Sequence, residues 1–306
     1  MSVKSLKLPP LRAINVLPEM KQIKTLNSMI PLVVLTFGFL MILFNLVSHS
    51  GDIVRSLFLK VEHPLVYHFT GYNDILKKVV SEHAVNYEAL KADPELNKEL
   101  NAAVNELSKI SPDQLESAQE QTCFWINTYN LLVLKAVTDL YPTDSIMSRK
   151  SPRAFNTTKF LIGATELSLQ DIFKGHLIPA IAGKPEDLFL TNGGAQGFPP
   201  LLDHAIVPKT LEADAAQAAS NFVNNPENAQ YKRDRKTLIL TPFFKWHEGL
   251  FDSAGGPHEW ANKFLPSSKA AVLTDIQALS TYAPDFNWRL NDTKLVAPKE
   301  GTTVAH

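Results

Sequence analysis

The stretch CFWINTYNLLVLKAV, Cys123 to Val137, constrains the fold more than any other segment of this chain. Read at helical period, Phe124, Leu131, Leu134, Ala136 and Val137 supply core surface, and much of the remaining circumference is apolar as well. A helix of that kind has to sit inside the protein. Trp125, Asn127, Tyr129 and Asn130 are then in or near the core, where an unsatisfied polar group costs about 1 to 3 kcal/mol. Buried amides and indoles more often brace neighbouring loops than carry out chemistry. These four, with Lys245 and Trp246 further along, are therefore expected to form a structural polar core, the wall of a site being the alternative.

With 306 residues, 45% of them hydrophobic, the chain can bury a large core without needing more than one globular domain plus appendages. Its charge is unevenly spread. Residues 1–50 carry Lys4, Lys7, Arg12, Lys21 and Lys24 against Glu19 alone, a net +4, so the rest carries −5 within the total of −1. A mildly acidic body argues against a nucleic-acid partner. Cys123 is the only cysteine, which excludes an intrachain disulfide and a cysteine-based metal site.

Met29 to Val47, MIPLVVLTFGFLMILFNLV, holds no charged residue, and a helix of that length nearly spans a hydrocarbon core about 30 Å thick. Pro31 falls in its first turn, where a missing N–H does least harm. A cleaved signal peptide and a buried core helix are the rival readings. Against cleavage, the apolar run is longer than a secretory core, a long basic stretch precedes it, and Ser48-His49-Ser50 is a poor cleavage site. The expectation is a basic arm at 1–28, a transmembrane anchor at 29–47, a connector at 48–65, a folded domain at 66–295 and a tail at 296–306. The basic arm stays on the cytoplasmic or matrix side of an inner membrane, bacterial or mitochondrial, and the main domain lies opposite.

From Tyr72 to Tyr141 the pattern is helical. Asp93-Pro94 starts one helix, with Leu96, Leu100, Ala103, Val104, Leu107 and Ile110 on one face. Ser111 and Gln114 read as a capping box opening the next helix, which stops at Tyr141-Pro142. The period then changes. Lys159–Ile162 and Thr165–Leu167 form a hairpin about Gly163-Ala164, and Ser168 with Asp171 caps a helix toward Ile178. Asp187 to Thr191 reads as a buried strand ending in the loop NGGAQGFPP. Leu211 to Phe222 is a helix, Lys232 to Lys236 a charged turn, and Thr237 to Leu240 a strand. Trp260 to Leu265 and Ala270 to Leu279 are further short helices. Helices first and mixed elements later indicate α+β, a helical N-terminal half on a small mixed sheet, preceded by the transmembrane helix.

Five ordered motifs, AVNYEAL at 84–90, FWINTYN at 124–130, LSLQDI at 167–172, FFKWH at 243–247 and FNWRLND at 286–292, resemble the domain-of-unknown-function 547 family across about residues 66–295. The resemblance implies an extracytoplasmic domain. It also implies a strand histidine followed by a loop N-C-G-A-x-S-C-P-P, a pattern like a cysteine and histidine site. Here Leu188 stands for the histidine, and the loop is Asn192 to Pro200 with Gly193 and Phe198 in place of the cysteines. Leu250 stands where the resemblance implies an acidic residue. Thiolate chemistry needs a sulfur nucleophile and a base, and glycine, phenylalanine and leucine are neither.

Other constellations are weaker. Cys123 reads as a small buried hydrophobe. Asp252 to Pro257, DSAGGP, differs from a serine-protease loop at Ala254 and has no matching histidine segment. His247-Glu248 and His258-Glu259 lack the second histidine of a zinc helix, so no metal site is expected. The loop Asn192, Gly193, Gly194, Gln196, with His204 beyond it, could form a ligand site, but it has no P-loop lysine and reads first as a tight turn.

The leading expectation is a single-pass, non-catalytic structural subunit of a membrane complex, with membrane lipid and other subunits as partners and no cofactor. The alternatives are a hydrolase or transferase working from His204 beside Asp203, and a small-ligand-binding domain at the Gly193 loop.

Overall fold

A computed structural model of the chain describes residues 69–148, 155–235, 237–265 and 281–296. The expected arm, anchor and connector, the helix at 270–279 and nearly all of the tail lie outside these residues. Among the described residues no helix is long and apolar enough to cross a membrane.

The described chain is α+β. Helix α1 (Thr70–Val79) leads through a two-stranded hairpin, β1 (Val80–Ser81) and β2 (Ala84–Val85), into α2 (Tyr87–Ala92) and α3 (Pro94–Glu106). Pro94 opens α3 where its missing N–H is harmless, and the Asp93 carboxylate accepts from the Glu95 and Leu96 N–H groups. Leu96, Leu100, Ala103, Leu107 and Ile110 are buried as the spacing predicts, and Val104 is half-buried.

The central helix is α4 (Ala118–Leu140), and it starts later than the Ser111 reading placed it. Ser111 caps nothing, and Pro112–Gln114 makes only a 3₁₀ turn before Leu115 becomes extended. The capping box belongs to Ser117 and Glu120, where side chain and backbone satisfy each other in both directions. Two boxes of the same pattern lay six residues apart, and the one adjoining the continuous apolar helix won. The helix ends at Tyr141-Pro142 as expected. Nearly all of its length from Thr122 to Thr138 is buried against α2, α3 and the segment 169–180.

Strands β3 (Lys159–Ile162) and β4 (Thr165–Ser168) form the expected hairpin, turning at Gly163, whose φ of +57° and contact with the Ile110 carbonyl exclude a side chain. Ser168 and Asp171 then cap α5 (Leu169–Ile172), which passes through a π turn (Phe173–Leu177) into α6 (Ile178–Ala180). The buried run expected as a strand is instead a 3₁₀ turn, Pro185–Leu190. Leu188, Phe189 and Leu190 are fully buried, but against α7 (Leu211–Asn224) rather than in a ladder. A short apolar run signals burial, and periodicity alone does not separate strand from helix there.

A three-stranded mixed sheet follows. β5 (Ala229–Lys232) and β6 (Thr237–Leu240) are antiparallel around the charged turn, and β7 (Thr281–Tyr282) joins β6 in parallel. Between them lie α8 (Pro242–Trp246), a 3₁₀ segment (Glu248–Ala254) and α9 (Pro257–Asn262). Phe189 is the hub of this half, stacked on Trp260 at 4.9 Å and 5° and ringed by Phe222, Phe243, Phe244 and Phe251. The segment 289–292 then returns to bridge Ser145, Ala195 and Val85, tying both halves together.

Candidate functional site

The two α4 amides do the bracing expected of them. Asn127 donates from Nδ2 to the Ile206 carbonyl at 2.8 Å and accepts at Oδ1 from the Ile206 N–H at 2.9 Å. One turn on, Asn130 donates to the Leu190 carbonyl at 2.8 Å and accepts from the Asn192 N–H at 2.9 Å. Each side chain thus stands in for a strand neighbour, satisfying backbone groups that have no ladder. Asn192 extends the network. Its Oδ1 accepts from the Gly194 N–H, and its Nδ2 donates to the Pro199 carbonyl, so the loop closes on itself. Asn291, held by the Tyr87 hydroxyl, donates to the same Oδ1 at 3.4 Å.

Trp125 and Tyr129 behave differently. Trp125 stacks on His176 at 4.1 Å, and among the described residues its indole N–H has no hydrogen-bond partner. Tyr129 faces a cavity rather than a loop. Lys245 and Trp246 do not belong to the polar core. α8 is a single turn, so Phe243 and Phe244 fill the buried side and the next two residues fall outside. Lys245 is exposed, 5.9 Å over the Tyr282 ring, and Trp246 is 46% exposed.

The loop 192–200 is a tight turn, not an anion cradle. Most of its N–H groups are used: Asn192 and Gly194 donate to the Asn130 and Asn192 side chains, Gln196 and Gly197 donate to the Arg289 and Asn287 carbonyls and Phe198 donates to the Ala195 carbonyl, while the Gln196 amide reaches the Leu290 carbonyl at 3.0 Å. Gly194 takes φ +82° there. Gly193 is required for a different reason. A Cβ built on it would lie 2.5 Å from Cε2 of Phe198 and 2.6 Å from Cδ2, closer than any side-chain contact allows. The Phe198 ring cannot swing away easily, because Phe286, Trp288, Phe243 and Trp246 surround it. The two positions at which the family resemblance implies cysteines are therefore in direct contact, and the ring of one occupies the side-chain space of the other.

In front of this pair lies a cavity of about 420 Å³ lined by Tyr129, Phe173, Thr191, Gly193, Phe198, Phe243, Trp246, His247 and Trp288. Trp246 and Trp288 stack at 5.4 Å and 24° on one side, and His247 lies 5.0 Å from Phe243 and 5.4 Å from Phe173 on another. Burial lowers the His247 pKa to about 4, leaving the imidazole neutral. Burial also raises the Tyr129 phenol, which stays protonated. Of the expected ligand-loop residues, Gly193 lines the cavity, Asn192 and Gly194 support it from behind, and Gln196 is spent on the 290 segment. His204 lies elsewhere. Its Nδ1 meets Asp203 at 2.8 Å and its Nε2 meets Asp214 at 3.4 Å. Partial burial disfavours its charge, but the two carboxylates outweigh that and raise its pKa. A ring occupied at both nitrogens is a poor general base.

Cys123 is buried within α4, its thiol pushed up to about 12 by burial first and then by Asp187 and Asp214. Phe173, Thr191, Phe243, His247 and Trp288 were not foreseen as one site. The signal was the aromatic density of FFKWH and FNWRLND, which carries no hint of convergence.

Residues 112–223 match the family model described as protein of unknown function, DUF547. That segment, little more than a third of the chain, is similar to the DUF547 family. The match takes in α4, the β3–β4 hairpin, the 192–200 loop and nearly all of α7, and so contains the Gly193–Phe198 pair. No curated protein and no solved structure matches the chain.

Proposed function

We propose that this protein is a member of the DUF547 family and a single-pass, membrane-anchored, non-catalytic structural subunit of a membrane protein complex. Its α+β domain, preceded by one transmembrane helix, lies on the periplasmic or intermembrane-space side. The observation that carries the non-catalytic part is the Phe198 ring over Gly193. Where the family resemblance implies a thiol site, this chain has a filled aromatic contact with no nucleophile, and Leu188, the position of the implied histidine, is fully buried. The one thiol of the chain is the protonated, buried Cys123. Anchoring is supported by the uncharged run Met29 to Val47 behind a +4 arm.

Mild detergent solubilisation followed by native size analysis tests the reading. The protein is expected in a species far larger than its own 34.0 kDa, together with other chains. Migration as a free species of its own mass, or release from membranes by alkaline carbonate, would contradict it.

A further inference from the structure

The cavity beside Gly193 has a chemistry of its own. At about 420 Å³ it falls within the range of small-molecule sites and can admit a ring system of one or two rings. Trp246, Trp288, Phe198 and Phe243 offer ring faces and edges, which favour a flat partner. Set into that apolar lining are three polar side chains. The Tyr129 hydroxyl and the His247 imidazole have no hydrogen-bond partner among the described residues. Thr191 donates to the Leu188 carbonyl at 2.7 Å and keeps its oxygen lone pairs to accept. Polar groups left open in an aromatic wall fix the orientation of a ligand.

No Asp, Glu, Lys or Arg is among the lining residues, and the imidazole is neutral at physiological pH. An ionic ligand would give up its hydration without gaining a counter-charge. Aromatic faces do attract cations, but a quaternary ammonium has no use for a hydroxyl and an imidazole that can each donate or accept.

We infer that this cavity binds an uncharged, planar ring compound, stacked against Trp246, Trp288 and Phe198, with a hydroxyl, carbonyl or amide substituent held by Tyr129 and His247. Phe198 thus has a positive role: the ring that excludes a side chain from Gly193 is also a wall of the site. The inference depends neither on the membrane anchor nor on assembly into a complex.

The test uses the full chain in lipid nanodiscs with 4-hydroxybenzamide as the probe, followed by saturation-transfer NMR. Saturable binding is expected. Tyr129→Phe and His247→Phe keep the shape of the wall, and each should weaken binding about fivefold, the usual worth of one neutral hydrogen bond. Trp246→Ala, at a half-exposed position, should abolish it, with an intact thermal midpoint checked alongside. Three results would overturn the inference: no saturable binding of the probe, binding unchanged in the Tyr129→Phe/His247→Phe double variant with its thermal midpoint intact, or tighter binding of phenyltrimethylammonium than of 4-hydroxybenzamide.

Discussion

Replacing Asn127 with Leu removes two hydrogen bonds and leaves both of their partners in the core. Asn127 is 1% exposed and Ile206 4%, so neither the Ile206 N–H nor its carbonyl can turn to water. At about 1 to 3 kcal/mol for each orphaned group, the loss is roughly 2 to 6 kcal/mol, and the added apolar contact of leucine offsets only part of it. A net loss of about 3 kcal/mol is expected, a large share of the 5 to 15 kcal/mol typical of a domain. Urea denaturation followed by tryptophan fluorescence should show a lower midpoint at an unchanged slope. Asn127→Asp sharpens the test. It keeps the acceptor for the Ile206 N–H but sets a carboxylate oxygen against the Ile206 carbonyl, so it should be destabilised at pH 7 and recover in acid, where a protonated carboxyl can donate. A loss below about 1 kcal/mol for the leucine variant, or an aspartate variant indifferent to pH, would refute the bracing argument.

Asp187 is buried with its Oδ2 unpartnered, and burial raises its pKa from 3.8 to about 6. The folded state therefore holds a proton that the unfolded state releases, so stability falls as pH rises from about 4 through 6; Asp187→Asn should gain up to about 3 kcal/mol at pH 7.5 and nothing below pH 4, read from denaturation midpoints. His247 runs the other way: its folded pKa of about 4 lies below the ordinary 6.5, so stability is lost as pH drops between those values, and acid titrations of His247→Phe should show a flatter profile. Ser117→Ala should cost about 1 kcal/mol of thermal or chemical stability and Ser111→Ala almost none, because only Ser117 caps α4.

Much of the scaffold was legible because local chemistry and tertiary structure agree there. Asp93-Pro94 and the Ser168–Asp171 box each meet their own backbone needs within four residues, so no distant partner could overrule them. The depth of α4 was legible for a related reason, since its apolar circumference allows no surface position. The exceptions share a different cause. Pro185–Leu190 reads as buried and is buried, but whether it extends or coils depends on α7 lying across it rather than on a strand beside it. Ser111 and Ser117 offer equivalent boxes, and only the packing of the following turn chooses. The cavity is the clearest exception. Its walls come from α4, the π turn, the 192–200 loop, α8 and the 286–288 segment, and periodicity within any one of these says nothing about the others. The resemblance to the family pointed to Gly193 and Phe198 separately. Only the fold shows that one ring fills the other's place.

That exclusion is the central claim, and a double-mutant cycle on Gly193→Ala and Phe198→Ala tests it most directly. In the natural background the added methyl must displace a ring hemmed in by four aromatics, and Gly193→Ala should cost about 2 to 3 kcal/mol. With Phe198→Ala already in place, the same change should cost less than about 0.5 kcal/mol, a coupling well above the noise for neighbouring sites. Equal costs in the two backgrounds would mean that the ring does not fill the glycine's side-chain space, and the case for a non-catalytic site would fall with it.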